Sequence, residues 1–338
     1  MGKSLQPDTS RLKKLVHTNG TARRGGHLHR QLRLLKLAVA PQIVLQLVFL
    51  VARQPLLSHV PVYDFVEYFA GAHEATKAAW RRQKMAAAFE IDHDPDTMNM
   101  VGGLGYVNAI HLATRLKRLA QSVLAPVCSS WVPINMGTSC RSVLNPLGNR
   151  SLSYVKQANI MVSRTVLLVW SLVAMGVLVI LEQPMNSLMQ NHPRFKQWML
   201  ANDIYRYFIR MRDYGAASEK GTWIYSQYPW VGDISRFKAP RKDTPSTVVV
   251  ATTYLNSKGK SCFKGGKDLK ASQKYPRGFG EALQKLFELH KADIRKHVAD
   301  LEQRASHLRV FREDLFGAPS DDWADADLAP VFDILLQR

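Results

Sequence analysis

The sequence predicts an α/β fold: a largely parallel, Rossmann-like sheet with helices on both faces, a basic N-terminal arm and a C-terminal helix. Three observations carry this. From about 42 to 182, helix-patterned segments alternate with short apolar runs of the kind that form buried strands. The runs end in residues that bear chemistry: Gly71, Glu90, Cys128 and Glu182. The 17-residue apolar stretch 165–181 is interrupted by Gly176 and reads as helix, turn and strand. A membrane span needs about 20 such residues.

Taken in order, 1–36 is a basic, mobile arm, partly helical near 28–37, with Arg11, Lys13, Lys14, Arg23, Arg24, Arg30, Arg33 and Lys36. The core follows over 37–225. It reads as helix 42–53, strand 62–69, helix 73–83, strand 85–91, helix 104–120 and strand 122–127. A polar loop 129–150 leads to helix 152–175 and strand 177–181. Beyond it, 204–211 has a helical pattern, and 222–225 and 247–254 are strand-like. Residues 226–278 form a small irregular or recognition region. Within it, Lys, Gly and Ser make 256–278 a loop. A single amphipathic helix spans 280–312, inside a closing segment 279–316. The tail 317–338 holds five Asp and one Arg and reads as a frayed terminus, with docking on the basic body or on a partner as the alternative.

The chain has 338 residues, enough for a sizeable core, and 46% hydrophobic residues is ordinary. A net charge of +19 is not. It points to an anionic partner, nucleic acid before an anionic membrane surface. Cys128, Cys140 and Cys262 are an odd, widely spaced set. They form neither a disulfide framework nor a zinc pattern, and they fit a reducing compartment. No signal peptide is visible, and Gln6 breaks a myristoylation pattern. The expected location is intracellular: the nucleus in a eukaryote, otherwise the cytoplasm. No membrane span is expected. No metal site is expected either, because His93 between Asp92 and Asp94 reads as solvated rather than as a metal ligand.

Four motifs carry chemistry. In Asp64-Phe65-Val66-Glu67-Tyr68-Phe69-Ala70-Gly71, a strand feeds a glycine turn and then a helix, whose free N–H groups suit a nucleotide-like ligand. In Phe89-Glu90-Ile91, an acid at the end of a strand can accept hydrogen bonds from ribose hydroxyls. Cys128 opens a polar, cationic loop containing Ser130, Arg141 and Arg150, surroundings that favour a thiolate nucleophile. Glu182-Gln183-Pro184 places a carboxylate directly after five apolar residues, which is costly unless the group is paired or functional.

In this order the motifs resemble the cytosine-5 DNA methyltransferase family. The matching residues are Phe69-Ala70-Gly71, Glu90, Pro126-Val127-Cys128, Glu182-Gln183 and the Tyr214-Gly215 segment leading to Lys220. The resemblance covers about 62–225, with a further hint at 278–286. It implies a Rossmann-like sheet that binds S-adenosylmethionine through Phe69, Gly71, Glu90 and Ile91. It implies Cys128 as nucleophile towards carbon 6 of a flipped cytosine, and Glu182 on the N3 and amino edge. Ser130, Arg141, Arg150 and Lys220 then fall on the nucleic-acid side, with DNA favoured over RNA. Some positions depart from the family: Gly71-Ala72-His73 at the turn, Val127 before the cysteine, Ser129 after it, Gln183 after the glutamate and Thr222 at the second arginine. An adenine-binding acid is not evident; Asn99 is the nearby candidate. Two readings therefore stand: an active methyltransferase, and a catalytically inactive, methyltransferase-like nucleic-acid-binding or interaction protein.

Overall fold

A computed structural model of the chain describes residues 21–54, 57–239, 251–257, 259, 261–266, 268, 271–311, 314–315 and 328–336. It is a mixed α/β structure built on a six-stranded sheet in the order β2-β1-β3-β4-β6-β5. The strands are β1 (Tyr63–Tyr68), β2 (Ala86–Phe89), β3 (Leu116–Leu124), β4 (Leu178–Pro184), β5 (Tyr205–Arg210) and β6 (Gly221–Ser226). The first four run parallel, and β6 runs against both of its neighbours. The helices are α1 (Thr21–Leu37), α2 (Gln42–Ala52), α3 (Glu74–Arg81), α4 (Gly103–Thr114), α5 (Met136–Ser139), α6 (Ser153–Ala174), α7 (Pro193–Ala201), α8 (Arg277–Leu289), α9 (Lys291–Ser306) and α10 (Ala329–Leu336). One sheet face is covered by α1, α2, α4, α6, α7 and α10, the other by α3, α8 and α9, giving two apolar cores. The arrangement is compatible with a Rossmann-like fold.

The stretch 165–181 divides as its glycine requires. Helix α6 ends at Ala174, Gly176 turns the chain with φ +73°, and β4 begins at Leu178. A Cβ on Gly176 would lie 2.8 Å from a Val298 methyl, so α9 packs directly on the turn. Among the described residues, α6 is the single helix long and apolar enough to cross a membrane, and 78% of its apolar window is buried inside the protein. It is the central helix of one core.

Several expectations are corrected. The arm is not mobile throughout. Residues 21–37 form α1, with Leu32, Leu34 and Leu35 buried against the body. Its Arg30 pairs with Glu302, and its Lys36 with Asp314; residues 1–20 lie outside the described residues. Helix α4 stops at Thr114 and β3 starts at Leu116, because the helix-favouring run Leu116-Lys117-Arg118 is recruited into pairing with Tyr63. Lys117 then reaches Asp64, and Arg118 reaches Glu302.

Tyr205–Arg210 is strand β5, not a helix: three of its six residues are aromatic, and it pairs residue for residue with β6. Residues 261–265 are not loop but β8 (Ser261–Gly265), paired with β7 (Ala251–Leu255) around Gly259 at φ +67°. The remainder of the expected strand, 247–250, lies outside the described residues. The single helix 280–312 is two helices broken at His290, whose ring nitrogens each lie 2.9 Å from a carboxylate, Asp233 and Asp293. The chain's end is not frayed over 329–336. Helix α10 packs on α4 and α2 with Val331 buried, and Gly103 is small enough to let Ile334 and Pro330 approach.

Candidate functional site

Strand order positions the site. The chain passes from β1 to β2 on one side, then crosses to β3 on the other. Open α/β sheets bind ligands at such a switch point, beyond the carboxyl ends of the strands. The 69–73 turn leaves β1 there, Glu90 follows β2, Cys128 follows β3, and Glu182 sits near the end of β4. The four residues read from the sequence therefore share one sheet edge.

The turn after β1 is unusual backbone. Phe69, Gly71 and His73 all have positive φ, at +59°, +49° and +47°. A Cβ at Gly71 would meet nothing within 4 Å, so the peptide faces open space. Its N–H donates to Glu90 Oε2 at 2.7 Å, and this bond joins the two ligand-type elements across the crevice. Phe69 is half-buried beneath the turn, and Ile91 is exposed beside Glu90. The His73 and His93 rings lie 4.9 Å apart at the same rim, and burial lowers the His73 pKa. Among the described residues, no His, Cys, Asp and Glu grouping could hold a metal ion.

The second half of the site is held together by Gln183. Its Nε2 donates to the Pro126 carbonyl at 2.8 Å, and its Oε1 accepts from Ser187. The amide thus ties the cysteine loop to the strand carrying the carboxylate. Cys128 is partly buried. Burial pushes its thiol up to about 11, the Glu182 carboxylate adds to this, and the Lys220 ammonium opposes it, so the resting surroundings disfavour the thiolate that the cationic loop predicts.

Glu182 is 4% exposed; one of its oxygens is hydrogen-bonded and the other has no hydrogen-bond partner. Oε2 accepts from the Tyr275 hydroxyl at 3.1 Å, and Oε1 lies 3.5 Å from Lys220 Nζ. Lys220 in turn lies over the Tyr275 ring, 5.8 Å from its centre. Burial raises the Tyr275 pKa well above its ordinary value; Glu182 comes second and Glu67 third. The tyrosine therefore stays a neutral donor.

Two members of this cluster are missing from the sequence reading. Tyr275 precedes Pro276 in a polar stretch and gives no local signal. Glu67 does give one, because it is a charge inside a buried strand. It is fully buried; Oε2 accepts from the Thr76 backbone N–H at 2.8 Å and from its hydroxyl at 2.7 Å, while Oε1 has no hydrogen-bond partner. Burial raises its pKa to about 7.

The loop residues divide. Arg141 is 2% exposed, and its donors are used inside the protein, on Ser130 Oγ, Asn159 Oδ1 and the Pro146 and Val155 carbonyls. Its guanidinium stacks 3.5 Å from the centre of the Trp131 ring, and burial lowers its pKa to about 10. Arg141 and its partner Ser130 thus brace the loop rather than face a phosphate, which corrects the sequence-based expectation for both. Arg150 is exposed at the end of the loop, and Lys220 sits within the site. The short helical turn 133–135 touches β8, so the β7–β8 hairpin stands beside the cysteine loop. Asn99 is used locally: its Oδ1 accepts from the Val101 N–H. Comparison with family models, with curated proteins and with solved structures returns no match.

Proposed function

We propose that the chain is an S-adenosylmethionine-dependent nucleic-acid methyltransferase that acts on carbon 5 of cytosine. The observation that carries this reading is the convergence of Cys128, Glu182 and Lys220 on the sheet edge that also bears the Gly71–Glu90 crevice. The crevice suits the cofactor. Gly71 leaves room for close approach, Glu90 offers a carboxylate for ribose hydroxyls, and Phe69 and Ile91 supply apolar contact. S-adenosylmethionine, when bound, supplies the methyl group.

The chain's own residues do the rest. Cys128 Sγ attacks carbon 6 of an extruded base as the thiolate, and the electrons of the 5,6 double bond move to carbon 5, which would take the methyl group; removal of the carbon 5 proton by a base then restores the double bond and expels the thiolate. Glu182 holds the N3 and amino edge, which takes the place that the Tyr275 hydroxyl fills in the resting site. Lys220 keeps that carboxylate oriented and opposes the rise in the thiol pKa. The exposed Arg150 is available to a phosphate.

A second reading has its own support. A thiol pushed up to about 11 and a carboxylate bonded by Tyr275 and ion-paired with Lys220 also fit a catalytically silent nucleic-acid-binding module. One experiment separates the two: incubation with DNA and RNA containing 5-fluorocytosine, with cofactor. Catalysis predicts a covalent adduct that disappears in Cys128→Ala. No adduct on either nucleic acid, together with no calorimetric binding of S-adenosylmethionine, would overturn the enzyme reading.

A further inference from the structure

The sheet's last two strands carry a surface that the catalytic reading does not use. Strand β5 is an edge strand, paired on one side only among the described residues. Arg206, Phe208 and Arg210 alternate along one of its faces. At about 3.3 Å per residue the two arginines are about 13 Å apart, with Phe208 midway. Opposite Phe208 in register is Trp223 of β6, and the two rings meet edge to face at 5.4 Å. The Arg206 guanidinium lies 4.1 Å from the centre of the Trp223 ring and donates to Gln190 Oε1, so it is held flat rather than waving in solvent.

Helix α7 meets this face at Tyr225, where Phe195 packs. Farther along, Phe208 is 42% exposed. Neither Arg206 nor Arg210 forms an ion pair with a described carboxylate. The surface is therefore aromatic and cationic, exposed at Phe208 and half-buried at Trp223, whose indole N–H donates to the Met185 carbonyl. Arg210 pairs with Gly221, the neighbour of Lys220, so this surface borders the site in the sheet but lies on the face opposite to Glu182.

We propose that the Arg206–Phe208–Arg210 and Trp223 face is a binding platform for single-stranded nucleic acid. Bases would stack on Phe208 and Trp223, and phosphates would lie against the two arginines. Aromatic faces flanked by arginines without a carboxylate partner suit a strand of any sequence, since every base has a π-face and every linkage a charge. Two arginines and two rings do not need a transferase site to work, so the proposal stands independently of the catalytic reading.

The test uses the full chain carrying Cys128→Ala, without cofactor, and a fluorescein-labelled oligothymidylate. Anisotropy gives the affinity, and the part of the tryptophan quenching that Trp223→Phe removes reports stacking there. Phe208→Ala is expected to weaken binding by about 5-fold to 150-fold, the range found for removal of one stacked base. Arg206→Ala with Arg210→Ala is expected to reduce the salt slope by about 1.4, two phosphate contacts' worth. A control pair, Arg295→Ala with Lys296→Ala, removes the same charge from the exposed face of α9. Equal weakening by the control pair, or no binding by the parent protein, would overturn the proposal. So would a concentration-dependent dimer that Phe208→Ala abolishes, because the face would then belong to a second copy of the chain.

Discussion

Glu67 makes the site's first strand sensitive to pH. Its carboxyl is fully buried, and burial raises its pKa from 4.5 to about 7. Such a group folds most favourably when protonated. Its stability contribution is fully present below about 4.5 and is lost as pH rises through about 7. A tenfold change in proton affinity corresponds to about 1.36 kcal/mol. Full ionisation therefore costs the folded state about 3 kcal/mol, and most of this accrues between pH 5 and pH 8. Glu67→Gln keeps an acceptor for both Thr76 donors but cannot ionise. Urea unfolding of the two proteins at pH 5 and pH 8 isolates the effect. Relative to wild type, the variant should gain about 2 to 3 kcal/mol on going from the lower to the higher pH. A stability difference that is the same at both values would refute the argument that this carboxyl is protonated by burial.

Two other predictions rest on the same elements. The alkylation rate of Cys128, followed on its own peptide by mass spectrometry, should inflect near 11; Glu182→Gln should move the inflection down and Lys220→Met up, so shifts of one sign would sink the assignment. Gly176→Ala should cost about 1–3 kcal/mol, from a left-handed backbone and a methyl 2.8 Å from Val298; Val298→Ala should recover the contact part only, and full rescue would show that the backbone carries no strain.

What can be read from the sequence is what local pattern controls. The apolar runs before Gly71, Glu90, Cys128 and Glu182 are legible because a parallel strand buried on both faces has few polar positions. The Gly176 break is legible because glycine alone takes that turn easily. The errors fall where tertiary contact overrides local preference. Leu116–Leu119 favours a helix in isolation but belongs to the strand that pairs with β1, and the helix break at His290 depends on Asp233, 57 residues away. Arg141 reads as a phosphate ligand because a cation in a polar loop is usually solvated. Nothing local reveals that Trp131, Ser130 and Asn159 enclose it. Tyr275 is invisible for the same reason: its contact with Glu182 spans 93 residues.

That tyrosine changes how the Cys128–Glu182 pair has to be understood. A buried carboxylate with no partner would be costly, and here the cost is offset by one hydroxyl and one ammonium. Under the proposed reading, a base entering the site must offer Glu182 a donor as it displaces Tyr275. A ring presenting an amino group beside N3 does so. A ring presenting a carbonyl there turns an acceptor towards the oxygen that Tyr275 leaves and loses that bond, although its N3–H can still donate to the other carboxylate oxygen. The resting contact thus acts as a filter on the chemistry of the entering edge, and the selectivity comes from what the site gives up as well as from what it gains.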